Sequence, residues 1–306
     1  MNIQPGCKQI LKRWTYILIC LTLLTGCAEK PLAPEEANST SVDVGAQPYF
    51  GLVFPTDTVT RFAPEIFNNE LHGGPVFTPD GREVYWSFME EPQGVRFMRI
   101  ENGVWTEPAK ASFDRSGRGD SPFISSDGNH LLFLSHSGGA ETIWQVDRTD
   151  GEWGSLQKLP DEVNGNGAHW QASMADNGNL YFGSRGEINF TEFVDGSYAQ
   201  AVVLNPSINT PDAIEGSPFV APDESYLIFD RAPHSAYADL YITFMGENGD
   251  WGEPIAMDAI NGGMHELYAN VSPDGRFIMF LSNRSGGILL PYWVDAEIIE
   301  EYRLQE

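Results

Sequence analysis

The feature that most constrains this chain is a turn that recurs five times with the same chemistry around it. The turn aspartates are Asp80, Asp127, Asp176, Asp223 and Asp274. Six positions after each stands an aromatic: Trp86, Phe133, Phe182, Phe229 or Phe280. The intervals between the aspartates are 47, 49, 47 and 51 residues. The turn is fullest at Val271-Ser-Pro-Asp-Gly-Arg, where a short polar entry leads into the β-rich run Phe277 to Leu281. A fixed period in this range, built of strands and turns, marks a sheet repeated radially about an axis.

Within the second repeat, Ser121-Pro-Phe-Ile-Ser reads as a short inner strand and His130 to Ser135 as a second. The alternation in Thr142-Ile-Trp-Gln-Val-Asp marks a third, and Glu152 to Leu159 a fourth that follows the Asp150-Gly151 turn. The corresponding turns elsewhere are Asn102-Gly103, Asp195-Gly196 and Asn248-Gly249, dipeptides that tolerate the positive φ of a tight hairpin. An aromatic opens each fourth strand: Trp105, Trp153, Tyr198 and Trp251. Four antiparallel strands per repeat make one blade of an all-β propeller.

The two ends fit each other. Fourth strands close on a hydrophobic residue followed by Asp or Asn: Phe113-Asp114, Val163-Asn164, Ile208-Asn209 and Ile260-Asn261. Phe67-Asn68 has the same form, so Val59 to Phe67 reads as a fourth strand with no repeat before it. The last repeat has no fourth strand of its own. The N-terminal strand is therefore expected to complete the final blade and close a ring of five, with six blades as the alternative. Closure removes exposed sheet edges. The propeller domain is assigned to residues 48–306.

Ahead of it, residues 1–26 carry Lys8, Lys12 and Arg13 and then the apolar run Trp14 to Leu24. That run is 11 residues long, against roughly 20 for a membrane span, and reads as a signal peptide. Residues 27–47 mix Pro, Glu, Ser and Thr with little apolar content and read as a flexible tether. Leu24-Thr25-Gly26-Cys27 resembles the lipobox of bacterial lipoproteins. The resemblance implies cleavage before Cys27 and its lipidation, which would anchor the chain to the membrane of a bacterial cell envelope. Ala28, next to that cysteine, resembles the pattern that sorts lipoproteins to the outer membrane.

The repeat itself resembles those of TolB-like propellers: Ser-Pro-Asp-Gly, an aliphatic-aromatic pair, then Ser-Asn-Arg. Val271 to Gly286 matches this most fully and Phe77 to Ser87 next. Ser125-Ser-Asp-Gly, Ala175-Asp-Asn-Gly and Ala221-Pro-Asp-Glu depart from it at the turn. Coverage runs over nearly all of residues 60–295. The family includes periplasmic protein-binding modules and propellers attached to peptidases or glycan-processing enzymes, so the resemblance implies a fold and leaves the activity open.

Composition narrows the function classes. Of 43 acidic and 18 basic residues, three basic ones lie in the leader, leaving 43 acids against 15 bases in the remainder. Such a surface repels phosphate backbones, and nucleic acid is not an expected partner. The three cysteines, Cys7, Cys20 and Cys27, all fall within the first 27 residues, so the domain holds neither a disulfide nor a thiolate metal site.

Candidate ligand-binding residues lie just before the inner strands, where a propeller aims side chains at its channel: His72, Asp120, His169, Glu215, His265 and Glu266. Such a ring of His and carboxylate could hold a cationic ligand or a divalent metal, although no cofactor is required by the sequence. A water-filled channel with a polar lining is the plainer reading. Arg185, Arg231 and Arg284 follow the second strands, where the family resemblance implies a structural rim arginine that pairs with channel acids. The turn aspartates are expected to cap their own turns. Arg118-Gly119-Asp120 copies an adhesion tripeptide, but the repeat explains it.

The chain contains no Gly-x-Ser-x-Gly elbow, no His-Glu-x-x-His and no phosphate-cradling glycine loop. The reading is a monomeric, membrane-anchored envelope propeller that binds a protein or a glycan without catalysis. The alternative is a carbohydrate-active enzyme using the channel acids, which needs two carboxylates about 5 to 10 Å apart.

Overall fold

A computed structural model describes residues 47–88, 93–136, 141–165, 167–234 and 236–305. The leader, Cys27 and the tether up to residue 46 lie outside the described residues. Among the described residues no helix is long and apolar enough to cross a membrane.

Five antiparallel sheets are arranged in a ring, making a five-bladed propeller. Blade 1 contains Leu71–Phe77, Glu83–Phe88 and Gly94–Glu101, its outer edge split between Val104–Trp105 and Ala109–Lys110. Blade 2 contains Gly119–Ile124, His130–Ser135, Thr142–Thr149 and Glu152–Lys158. Blade 3 contains His169–Met174, Leu180–Ser184, Glu187–Thr191 and Val202–Val203, with a side hairpin of Phe193–Val194 and Ser197–Tyr198. Blade 4 contains Ala213–Val220, Tyr226–Pro233, Asp239–Phe244 and Ile255–Ala256. Blade 5 contains Glu266–Val271, Phe277–Ser282 and Leu290–Asp295, and its fourth strand is Thr60–Arg61.

That last pairing closes the ring. Thr60 lies opposite Trp293 and Arg61 opposite Tyr292, antiparallel. The Phe62 N–H donates to Pro291 O at 2.9 Å, and the Arg61 guanidinium donates to Pro291 O and Phe67 O at 3.0 and 2.6 Å. The strand expected over Val59 to Phe67 is thus regular for two residues only. Ala63 takes a positive φ of 38°, and the N–H groups of Ile66 and Phe67 both donate to Ala63 O, which turns the rest out of the sheet. In place of the missing final strand the chain ends in the helix Ile298–Arg303.

The repeated residues serve the fold. Trp86, Phe133, Phe182, Phe229 and Phe280 are each exposed by 2% or less and fill the blade cores. Turn aspartates accept from their own turns: Asp80 from Thr78 Oγ1 and Arg82 N–H, Asp127 from Ser125 Oγ and Asn129 N–H, Asp274 from Ser272 Oγ and Arg276 N–H. Asp223 accepts from Ser225 N–H. Asp176 differs, accepting instead from Ser126 of the preceding blade, while Asn177 caps its turn.

The Asx that ends each outer strand is a second device. Asn164 accepts from Ile143 N–H at 2.8 Å and donates to Ile143 O and Leu159 O at 3.0 and 2.8 Å. Asn209 does the same with Ile188 and Leu204, and Asn261 bridges the N–H and C=O of Leu240. Asp114 accepts from the N–H groups of Val95 and Gly119, both at 3.0 Å. Each side chain thereby satisfies backbone groups at the start of a third strand, where the outer strand has run out.

Asn164→Ala should therefore destabilise the domain by about 1–3 kcal/mol, because it strands the Ile143 N–H and the Leu159 carbonyl, while Ile143 O keeps the Leu159 N–H. Urea unfolding of the variant checks this, with the exposed Glu107→Ala expected to stay within ~0.5 kcal/mol of the parent.

Candidate functional site

Successive residues of a strand point to opposite faces, and this sorts the six expected channel residues. Glu215 lies opposite Arg231, while its neighbour Gly216 lies opposite Asp230. The Glu215 carboxylate is fully buried and accepts from Arg231 Nε at 3.0 Å and Thr210 Oγ1 at 2.7 Å. Arg231 also donates to Ser207 O and Ile208 O, tying the carboxylate to the connection from blade 3. Blade 5 repeats this: the fully buried Glu266 accepts from Arg284 at 2.9 Å and Ser282 Oγ at 2.8 Å, and Arg284 donates onward to Ile260 O. These two acids are occupied in holding blades together.

His169 holds the same place in blade 3. It is fully buried, its ring lies 5.2 Å from that of Phe182, and among the described residues neither ring nitrogen has a hydrogen-bond partner. Burial pushes its pKa down to about 4, so the ring is neutral. His265 Nδ1 accepts from Ala238 N–H at 3.1 Å, and its ring meets Tyr237 edge-on.

His72 and Asp120 are brought together. His72 Nδ1 contacts Asp120 Oδ2 from the neighbouring blade, while Asp120 Oδ1 accepts from Ser87 Oγ at 2.5 Å and Ser121 N–H at 2.8 Å. The seam is tight there, because a Cβ added at Gly73 would lie 2.7 Å from the Ser121 Cα. Two residues outside the expected set complete the cluster. His136 Nε2 lies 3.7 Å from Asp120 Oδ2 and 3.3 Å from Glu141 Oε1. His136 directly follows the second strand of blade 2, near where blade 4 carries Arg231 at the end of its second strand and blade 5 carries Arg284 just after its own; that correspondence was the available sequence signal. Glu141 immediately precedes the third strand and had none.

Electrostatics bind the group. Burial opposes the charge of Asp120, but the nearby His136, contact with His72 and the hydrogen bond from Ser87 hold it well below the usual carboxylate range. Burial would lower His72, and its hydrogen bond and charge contact with Asp120 outweigh that and raise it. His136 is raised chiefly by the nearby Asp120 carboxylate, at 3.7 Å. Glu141 is raised by burial, against the pull of His136. His72, Phe88, Gln93, Arg118, Asp120 and His136 line a cavity of ≈ 380 Å³. Asp120, His136 and Glu141 each offer a ligand atom, all within 4.8 Å of one another.

In blade 4, Asp230 is buried, and among the described residues its Oδ1 has no partner. Burial pushes it up to about 6, against stabilising hydrogen bonds from Ser217 and the Tyr268 backbone.

No family model and no curated protein matches this chain. Among solved structures, it is similar to a protein assigned as TolB from Agrobacterium tumefaciens, at 15% identity and a TM-score of 0.51, over 71% of this chain and 72% of that one. It is also similar to TolB from Acinetobacter baumannii, at 15% identity and a TM-score of 0.47, over 72% and 53%. A GH43 glycoside hydrolase aligns at 12% identity and a TM-score of 0.47, over 76% and 51%. At 15% identity the likeness to the first of these is one of fold alone, a β-propeller.

An aspartate whose pKa is raised in the folded state makes folding take up a proton, so its burden grows as pH rises through the folded pKa. With Asp230 moved from 3.8 to about 6, Asp230→Asn should raise stability by about 3 kcal/mol at pH 8. It should change little at pH 4, where the group is protonated in the fold. Urea midpoints of both forms at the two pH values check this.

Proposed function

We propose that the chain is a lipoprotein of the bacterial cell envelope, anchored through Cys27 at the outer membrane. Its propeller then acts as a non-catalytic module that binds a protein or glycan at the channel mouth between blades 1 and 2. The observation that carries this reading is the division of the channel acids. Glu215 and Glu266, which a hydrolase in the channel would need, are fully buried and engaged by Arg231 and Arg284. The open cavity instead presents His72, His136 and Arg118 around one carboxylate, a mixed polar surface suited to recognition. A membrane tether fits a binding module, since it fixes the mouth near envelope partners.

One arrangement favours the enzyme alternative. Asp120 and Glu141 are neighbouring carboxylates whose acidities are displaced in opposite directions, the pattern of an acid and base pair. Turnover of chromogenic glycosides that Glu141→Gln abolishes would establish it and sink the binding reading.

Two outcomes are expected under the leading proposal. Cys27→Ala should release the chain from the membrane fraction and abolish palmitate incorporation. Captured envelope protein or glycan should bind at least 10-fold more weakly to Arg118→Ala/His136→Ala and normally to Glu107→Ala, measured by surface plasmon resonance, with no glycosidase turnover by the parent.

A further inference from the structure

We infer that Asp120, His136 and Glu141 form a binding site for one divalent transition-metal ion of the Zn²⁺ type. The inference is independent of the binding reading above, since the ion would sit in the wall of the cavity whatever larger ligand enters it.

Spacing is the first argument. Two donors bound at about 2.0–2.1 Å to a tetrahedral ion stand about 3.3 Å apart. His136 Nε2 lies 3.3 Å from Glu141 Oε1 and 3.7 Å from Asp120 Oδ2, and all three ligand atoms lie within 4.8 Å of one another.

Pre-organisation is the second. Asp120 is 5% exposed, and its Oδ1 is fixed by Ser87 Oγ and Ser121 N–H. The other oxygen, Oδ2, is thereby aimed at His136 and His72. Outer partners that orient a ligating carboxylate in this way characterise built metal sites. Here His72, in contact with the same Oδ2, is a positioning residue that holds the carboxylate from blade 1. Asp120 lies on the inner strand Gly119–Ile124, His136 directly follows His130–Ser135, and Glu141 directly precedes Thr142–Thr149. Each ligand is thus fixed to the framework of one blade.

Donor chemistry selects the ion. One imidazole and two carboxylates suit Zn²⁺ or Mn²⁺, whereas Ca²⁺ takes six to eight oxygens at longer distances. Arg118 on the cavity wall works against a cation, and two carboxylates oppose it. With three protein ligands, one position remains open to the ≈ 380 Å³ cavity, where Arg118 would favour an anionic group on a ligand.

The test is calorimetric titration of the chelator-treated full-length chain with ZnCl₂ and, separately, CaCl₂. Zinc held by the leader thiols is common to all variants and cancels in the comparison. The expected result is one zinc per chain, beyond any held by the leader thiols, that His136→Ala and Glu141→Gln each weaken at least 100-fold, with no comparable calcium heat. Melting temperatures of the metal-free variants should match the parent, separating ligand loss from misfolding; Asp120→Asn is avoided because that residue seals the seam between blades. Zinc binding that both variants leave intact, a preference for calcium, or no zinc binding would each overturn the site. A chain that still captures its partner yet binds no zinc would remove this site alone.

Discussion

A ring of sheets has to close, and here the backbone part of the closure is two residues long. Thr60 and Arg61 cover the free edge of Leu290–Asp295, which would otherwise display unpaired N–H and C=O groups to any passing strand. So short a ladder contributes little by itself. Aromatic packing on either side secures it. Phe62 lies edge-on to Trp293 at 5.0 Å and to Phe77 at 5.9 Å. Tyr49 meets both Phe77 and Phe277 at 4.8 Å, and Phe50 packs on Trp105 at 4.3 Å. Residues of blades 5 and 1 therefore share one apolar cluster with the segment that precedes the closing strand, and burial of that cluster holds the seam.

Once the ring is closed, the blades need not be alike where they meet the channel. Blades 4 and 5 lock themselves to the preceding connection with a buried glutamate and an arginine, a pair whose desolvation is offset only because the arginine also bonds backbone carbonyls. Blade 3 keeps the position but fills it with a neutral histidine. Blade 2 departs furthest, with a glycine, Gly119, in the glutamate position and a histidine in the arginine position. The groups freed from the locking task are the ones that gather at the cavity.

The architecture was legible because it is repeated. Period, aromatic offset, turn aspartates and terminal Asx each occur often enough to stand out from a single sequence, and each has one local cause. The closing strand was placed correctly but drawn too long, since Pro64, directly after Ala63, already marks a break in that run. The site was only half legible. His72 and Asp120 were identified, but spacing grouped them with Glu215 and Glu266, which Arg231 and Arg284 engage, and with His169 and His265, which stand apart from the cluster. A shift of one residue moves a side chain to the other face, and an inner-strand bulge such as that between Asp120 and Phe123 blurs the count. His136 and Glu141 belong to strand ends whose convergence depends on how a blade folds back, which spacing along the chain does not encode.

The closing strand also decides how the molecule bears mechanical load. Any pull transmitted through the N-terminus reaches the ring at its seam, and at a ladder of two residue pairs. Pairs such as Thr60 with Trp293 and Arg61 with Tyr292 would be peeled singly if the force ran across the strand and sheared together if it ran along it. The aromatic side chains of Tyr49 and Phe50, wedged ahead of that ladder, are the first anchors to take the strain. They act as a strain relief, so tugging on the tail must extract two buried rings before it can open the propeller.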